Sequence, residues 1–212
     1  MIFDCDGVLV DSEAISNEVL AEILCLHGGT FTPETALAAF VGQSVQGIRE
    51  TAKAAYDIAL PENWHADYYA RMLPALAKRV KPIAGASEVV RGLHGTGQPI
   101  CVASQGPPEK MLTTLTATGL AGYFEGRIFS AKSVARPKPF PDIFLHAADA
   151  CGFDPSKCAV IEDTRIGVEA AVAAEMAVFG FCMADDAERM VHCGAHPFHN
   201  MNELPGLLGK NG

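Results

Sequence analysis

A chain of 212 residues, 49% of them hydrophobic, holds apolar material for one domain with a sizeable insertion, or for one large and one small domain, which excludes disorder. Its formal net charge of -9 argues against a nucleic-acid or anionic-membrane surface, because both need clustered Lys and Arg. No apolar run approaches the ~18 residues of a membrane span and no charged-then-apolar leader opens the chain, while seven scattered cysteines without a C-x-x-C pair read as reduced thiols of a cytoplasmic protein. On oligomeric state the sequence is silent, and a monomer is compatible with it.

The chain begins on a short apolar run, Ile2 and Phe3, followed at once by Asp4, Cys5, Asp6 and Gly7. This reads as a buried strand ending in paired carboxylates on a tight turn, with Cys5 a small apolar filler. The two aspartates share a face only if the strand continues through Cys5; a turn at Gly7 lets Asp6 also offer its backbone carbonyl. From Ser12, a good N-cap residue, Ile15, Val19 and Ile23 recur at four-residue spacing until Gly28-Gly29 stops the helix. Helical segments follow from Pro33 to Phe40, Ser44 to Ile58 and Glu62 to Arg79, without a convincing strand among them. Lys81 to Gly85 reads as a linker.

Beyond it, strand and helix alternate. Pro99 to Ala103 is an apolar strand ending at Ser104, and Pro107 or Pro108 opens a helix carrying Met111, Leu112 and Leu115. Arg127 to Phe129 is a short strand. Phe140, Ile143, Phe144, Ala147, Ala148 and Cys151 form the clearest amphipathic stripe of the chain. Ala159 to Ile161 is another buried strand, ending at Glu162-Asp163; Thr164 can cap the Ala-rich helix after it, and Ala177 to Phe181 is a further strand. The fold class that follows is α/β: a Rossmann-like parallel sheet with helices on both faces, from residues 1–11 and 83–212, with an all-α helical cap inserted as residues 12–82.

In a parallel sheet, ligands bind at the carboxyl ends of the strands. Asp4 and Asp6, Ser104, Lys138, and Glu162 with Asp163 are therefore expected to converge on one crevice. Four carboxylates there would repel, at up to about 4 kcal/mol per close pair for an effective dielectric near 20. A hard cation relieves that, and oxygen-only ligands without a companion histidine point to Mg²⁺. One lysine and one hydroxyl added to such a site make an anion clamp.

These stretches carry a family resemblance. D4-C-D-G-V-L-V-D-S12, the strand ending at Ser104, K138-P-F-P-D-I-F144 and I161-E-D-T-R-I-G167 together resemble, in order and spacing, the four motifs of the haloacid dehalogenase superfamily. The resemblance implies that Asp4 is a nucleophile forming an aspartyl-phosphate and Asp6 the general acid and then base. It implies that Ser104 and Lys138 bind the transferring phosphoryl group, and that Asp4, the Asp6 carbonyl and Asp163 ligate Mg²⁺, with Glu162 either a ligand or a partner of the ligands. Many relatives have Asn after the motif serine, where this chain has Gln105.

The helical insert resembles the cap of the phosphoglucomutase-like subfamily, which closes over the site and selects the leaving group. Gly42, Gln43 and Ser44 would then face the substrate together with Gln105. β-Phosphoglucomutases carry a cap histidine and basic residues on each side of the cap-loop glycine; the matching positions here are Ser16, Val41 and Val45, which favours hydrolysis over isomerisation. A dehalogenase needs no metal and would not keep both Asp6 and Asp163. Cys101 to Met111 and V178-F-G-F-C182 resemble the bacterial subgroup that contains 6-phosphogluconate phosphatase. The expected partner is a small phosphorylated metabolite, a sugar or sugar-acid phosphate, with no nucleic acid and no membrane. A phosphomutase, and a non-catalytic binder of a phosphorylated ligand, are the alternatives.

Three rival features read as structural. His192, Cys193, His196 and His199 are metal-like in composition but match no standard zinc spacing, so a surface loop leading into a last short strand is expected. H94-G-T-G-Q98 lacks the third glycine and the preceding strand of a nucleotide loop. Trp64 is expected to pack rather than to bind.

Overall fold

The computed structural model describes residues 1–182 and 187–209. The chain forms two compact units, one of Met1–Asp11 with Lys81–Gly212 and one of Ser12–Val80. In chain order, β1 (Ile2–Phe3) and β2 (Val10–Asp11) precede the helices of the second unit, α1 (Glu13–Leu26), α2 (Pro33–Phe40), α3 (Val45–Tyr56) and α4 (Trp64–Arg79). The first unit then resumes with β3 (Lys81–Pro82), α5 (Ala86–Gly95), β4 (Cys101–Ser104), α6 (Pro108–Ala117), β5 (Ile128–Ser130) and α7 (Asp142–Ala150). It finishes with β6 (Ala159–Glu162), α8 (Arg165–Ala173), β7 (Ala177–Phe181), α9 (Ala187–His192), β8 (His196–Phe198) and α10 (Leu204–Leu208).

The sheet runs β5-β4-β1-β6-β7-β8, with every neighbouring pair parallel. Successive side chains of β1 serve opposite faces. Ile2 joins Ala103 and Val160 in a core with Ile143 and Phe144 of α7 and Val168 of α8, while Phe3 meets Phe124 edge-on, 6.3 Å between ring centroids. A strand buried on both faces must be apolar throughout, which is why polar side chains gather only where the strands end. β4 and β6 flank β1, and the strand order reverses there. That is the point at which an open α/β sheet leaves a crevice.

The helical unit has its own core, built from Leu20, Ile23, Leu24, Ala36, Phe40 and Trp64. Trp64 is buried against the Tyr68 ring, the packing role expected of it. Among the described residues, no helix is long and apolar enough to cross a membrane.

Several expectations need correction. Lys81-Pro82 is not part of a linker but pairs antiparallel with Val10-Asp11, and Ile83 N donates to Leu9 O at 3.0 Å. Helix α5 went unread because Gly92 and Gly95 depress the local helix propensity; it forms by burying Ala86, Val89 and Val90. Ser12 occupies the N-cap position of α1 without a side-chain capping bond, since its backbone is already helical. Leu112 is 57% exposed. Phe140 lies ahead of α7, where its ring receives the Arg136 guanidinium at 4.5 Å instead of joining the core stripe.

Candidate active site

The sheet register decides which side chains meet. Phe3 is level with Val102 on one side and Ile161 on the other, and Asp4 N donates to Ile161 O at 2.9 Å. Asp4 therefore lies one step past the ladder, level with Ala103 of β4, one residue short of Ser104, and with Glu162, the last residue of β6. The chain then folds sharply: Leu9 N and Val10 N donate to Cys5 O, and Gly7 N donates to Val10 O. Gly7 sits at φ 79°, a conformation that disfavours any side chain.

Lys138, from the loop between β5 and α7, reaches into this edge. Its Nζ lies 2.6 Å from Asp4 Oδ1 and 2.5 Å from Glu162 Oε1, donates to Ala103 O at 3.3 Å, and stands 4.8 Å over the Phe144 ring. Asp4, Lys138 and Glu162 are all buried. One ammonium thus serves two carboxylates in a low-dielectric setting. Burial, with the negative field of Glu162, pushes the Asp4 carboxyl up to about 7 against the pull of Lys138. Burial alone would lower Lys138, but attraction to Asp4 and Glu162, with their hydrogen bonds, holds it above the ordinary lysine range and fully charged.

Glu162 is occupied at both oxygens. Oε1 takes Lys138, and Oε2 accepts from Asp163 N, Thr164 N and Thr164 Oγ1, at 2.9, 2.9 and 2.8 Å. Thr164 in turn caps α8 through Gly167 N, as expected. A β-carbon on Gly167 would lie 1.9 Å from the Glu162 carboxylate, so the first turn of α8 closes on that side chain only because residue 167 has none. Glu162 is a strut for Lys138 and the loop, with no lone oxygen turned to a ligand.

Asp163 is the converse. Its Oδ1 is buried with no hydrogen-bond partner, and a β-carbon on Gly7 would lie 2.0 Å from its Oδ2. Burial, then the charges of Glu162 and Asp4, push its carboxyl well above the usual carboxylate range. A buried orphan oxygen beside a second acid is what a cation would satisfy. Among the described residues, no three His, Cys, Asp or Glu side chains close on one point. A cation here would thus rest on Asp4 and Asp163 with main-chain and non-protein oxygens, a donor set that fits Mg²⁺.

Asp6 is less buried, its side chain 29% exposed, and forms an ion pair with Lys110 of α6 at 2.9 Å. Lys110 was not foreseen as a site residue. A signal existed: a lysine in the first turn of a helix opposes the helix dipole, which asks for an anion nearby. Ser104 is buried, and its Oγ accepts from Gly106 N at 3.4 Å. Gln105, next to it, is exposed.

Gly42, Gln43 and Ser44 belong to the helical unit. There Gly42 turns the chain at φ 72°, Gln43 donates to Ala39 O and accepts from Thr51 Oγ1, and Ser44 caps α3 through Gly47 N. In the tail, His192 Nδ1 pairs with Glu188 O and His199 Nδ1 with Cys182 O, while the His196 ring lies on Phe179. Strand β8 (His196–Phe198) takes in His196 itself, with His192 ending α9 and His199 just past the strand, so the short strand is found but lies within the segment rather than after it.

The family model for haloacid dehalogenase-like hydrolases matches residues 1–175. The chain belongs to the haloacid dehalogenase-like hydrolase family. It is 28% identical over 213 residues to the 6-phosphogluconate phosphatase of Escherichia coli K12, an alignment spanning 100% of this chain and 95% of that protein. Two solved family structures have the same fold across 99% of the chain. One is a haloacid dehalogenase-like protein of Agrobacterium tumefaciens, with TM-score 0.82, 33% identity and 96% of its own length matched. The other is a family hydrolase of Deinococcus radiodurans holding bound phosphate and sodium, with TM-score 0.80, 29% identity and 94% of its length matched. The α/β sheet and the family membership expected from the four motifs are thus both found.

Proposed function

We propose that this hydrolase is a Mg²⁺-dependent phosphatase acting on a small phosphorylated metabolite, a sugar phosphate or sugar-acid phosphate. The observation that carries the reading is the buried Asp4–Lys138 pair at the carboxyl end of the central strand, with Ser104, Asp6 and Asp163 at the same edge. The likeness to a 6-phosphogluconate phosphatase and to a phosphate-binding family structure supports the substrate class. Seven free thiols suit a cytoplasmic setting.

Asp4 and Asp163, with the carbonyl of Asp6, would hold the metal, which supplies positive charge at the phosphoryl oxygens and lowers the cost of ionising both acids. Lys138 fixes Oδ1 of Asp4, so Oδ2 is the oxygen that attacks phosphorus. As the O–P bond to Asp4 forms and the ester P–O bond breaks, Asp6 gives its proton to the departing alkoxide. The Ser104 hydroxyl and the Lys138 ammonium bind the equatorial oxygens, whose charge is the main thing to be stabilised. In the second step Asp6 takes a proton from water, the hydroxide attacks phosphorus, and the Asp4–phosphorus bond breaks to release phosphate. Residues 12–80 act as the cap, and Gly42, Gln43 and Ser44 of that unit, with Gln105, are the residues assigned to substrate binding.

Phosphate release from p-nitrophenyl phosphate and from a panel of phosphorylated sugars and sugar acids tests this. Activity is expected to need Mg²⁺, to stop on chelation and to be lost in Asp4→Asn. Full activity in that variant would overturn the mechanism, and isomerisation of glucose 1-phosphate without phosphate release would make the enzyme a mutase.

A further inference from the structure

We propose that Lys110 is a positioning residue for Asp6, fixing the plane of the carboxylate that moves the proton; this rests on the proposed phosphatase reading. Lys110 Nζ lies 2.9 Å from Asp6 Oδ1, with the lysine side chain 15% exposed. The other oxygen, Oδ2, lies over Gly106: a β-carbon built there would sit 3.5 Å from it and 3.8 Å from Ser104 Oγ. One carboxylate oxygen is thus held by a charge and the other rests on a bare backbone, which defines both its position and its rotation.

The element that carries Lys110 is tied to the same loop twice. One turn further along α6, Thr114 Oγ1 donates to its own helix carbonyls at Lys110 and Met111, and with its proton so engaged it can accept from Cys5 Sγ at 3.8 Å. Helix α6 therefore grips Cys5 through Thr114 and Asp6 through Lys110, four residues apart on one helical face. A charge-assisted bond to a partly buried carboxylate is stronger and more directional than contact with solvent. Placing a cation in the first turn of a helix works against the dipole, and Asp6 offsets that cost.

The geometry matters because a proton donor must stand within hydrogen-bond reach of the departing oxygen, and an error of about 1 Å can lower a rate ~100-fold. Asp6 immediately precedes the turn at Gly7, which sits at φ 79°. Without Lys110, the carboxylate loses the cation that meets its Oδ1 at 2.9 Å. Lys110 touches neither phosphorus nor metal in this assignment; it acts through Asp6.

A double-mutant cycle on p-nitrophenyl phosphate tests the assignment, with enzyme concentration raised to follow the slow variants. Lys110→Met is expected to lower kcat about tenfold with KM and the Mg²⁺ activation curve unchanged, and to lower it less than about twofold in the Asp6→Asn background. Lys110→Arg, which keeps the cation, is expected to recover most of the rate and to guard against a folding artefact. Wild-type kcat in Lys110→Met, or the same fold-loss in both backgrounds, would overturn the inference. Wild-type protein without Mg²⁺-dependent phosphatase activity would instead overturn the proposed function, and the positioning role with it.

Discussion

Gly7 and Asp163, on opposite loops of the site, are in such close contact that a methyl group on residue 7 would lie 2.0 Å from Asp163 Oδ2. The glycine of the first motif is thus required twice, once by its φ of 79° and once by the carboxylate that fills the space beside it. Gly7→Ala must either displace Asp163 or unwind the turn. A backbone penalty of about 1 kcal/mol or more, with the displaced acid, predicts a loss of about 1–3 kcal/mol in stability and a Mg²⁺ requirement at least about tenfold higher. Thermal unfolding and a Mg²⁺ titration of activity check it. An unchanged Mg²⁺ curve would mean that Asp163 does not serve the metal.

Lys138 and Asp4 should separate stability from chemistry. Removing the ammonium in Lys138→Met leaves Asp4 and Glu162 as neighbouring buried acids with no counter-charge, and breaking a buried pair in this way costs about 3–5 kcal/mol. Asp4→Asn leaves Lys138 on Glu162 and removes only one charge, so the fold is expected to keep its stability within about 1 kcal/mol while turnover vanishes. Denaturant unfolding of both variants, set beside their phosphatase rates, gives the comparison. Equal stability of wild type and Lys138→Met would show that the network contributes nothing to folding.

The contrast between what could be read beforehand and what could not follows from range. Asp4, Ser104 and the Glu162-Asp163 pair were legible because each ends an apolar run, and a parallel sheet brings such ends together whatever the intervening sequence, while Lys138, in the loop before α7, was legible only through its motif. Strands β2 and β3 were not legible, because two residues carry no periodicity. The roles of Gly7 and Gly167 were hidden for a different reason: each glycine is dictated by a side chain more than a hundred residues away, or by one that turns back over the helix start, and only coordinates reveal the empty space. For the Lys110–Asp6 pair the lysine in the first turn of α6 signals an anion nearby, but which anion depends on how α6 docks against the first loop.

The metal-free protein should be more stable in mild acid than at slightly alkaline pH. Asp4 has its carboxyl pushed up to about 7 in the fold, against an ordinary value of 3.8, so the folded state binds its proton more tightly than the unfolded chain does. Stability then falls as pH rises from the unfolded value through about 7, and is level above it. Asp163, also raised, contributes with the same sign. Lys138, raised above its ordinary value of 10.5, contributes stability fully present below that value and lost only beyond it, so it adds no slope between pH 5 and 8. The expected result is a Tm of the chelated protein that drops between pH 5 and 8, a flatter profile in Asp4→Asn, and a larger Tm gain on adding Mg²⁺ at pH 8 than at pH 5, because the metal competes with protons for Asp4 and Asp163. Scanning calorimetry across that range, with chelator and with Mg²⁺, decides it; a Mg²⁺ stabilisation that is the same at both pH values would mean that the cation binds elsewhere than at these two acids.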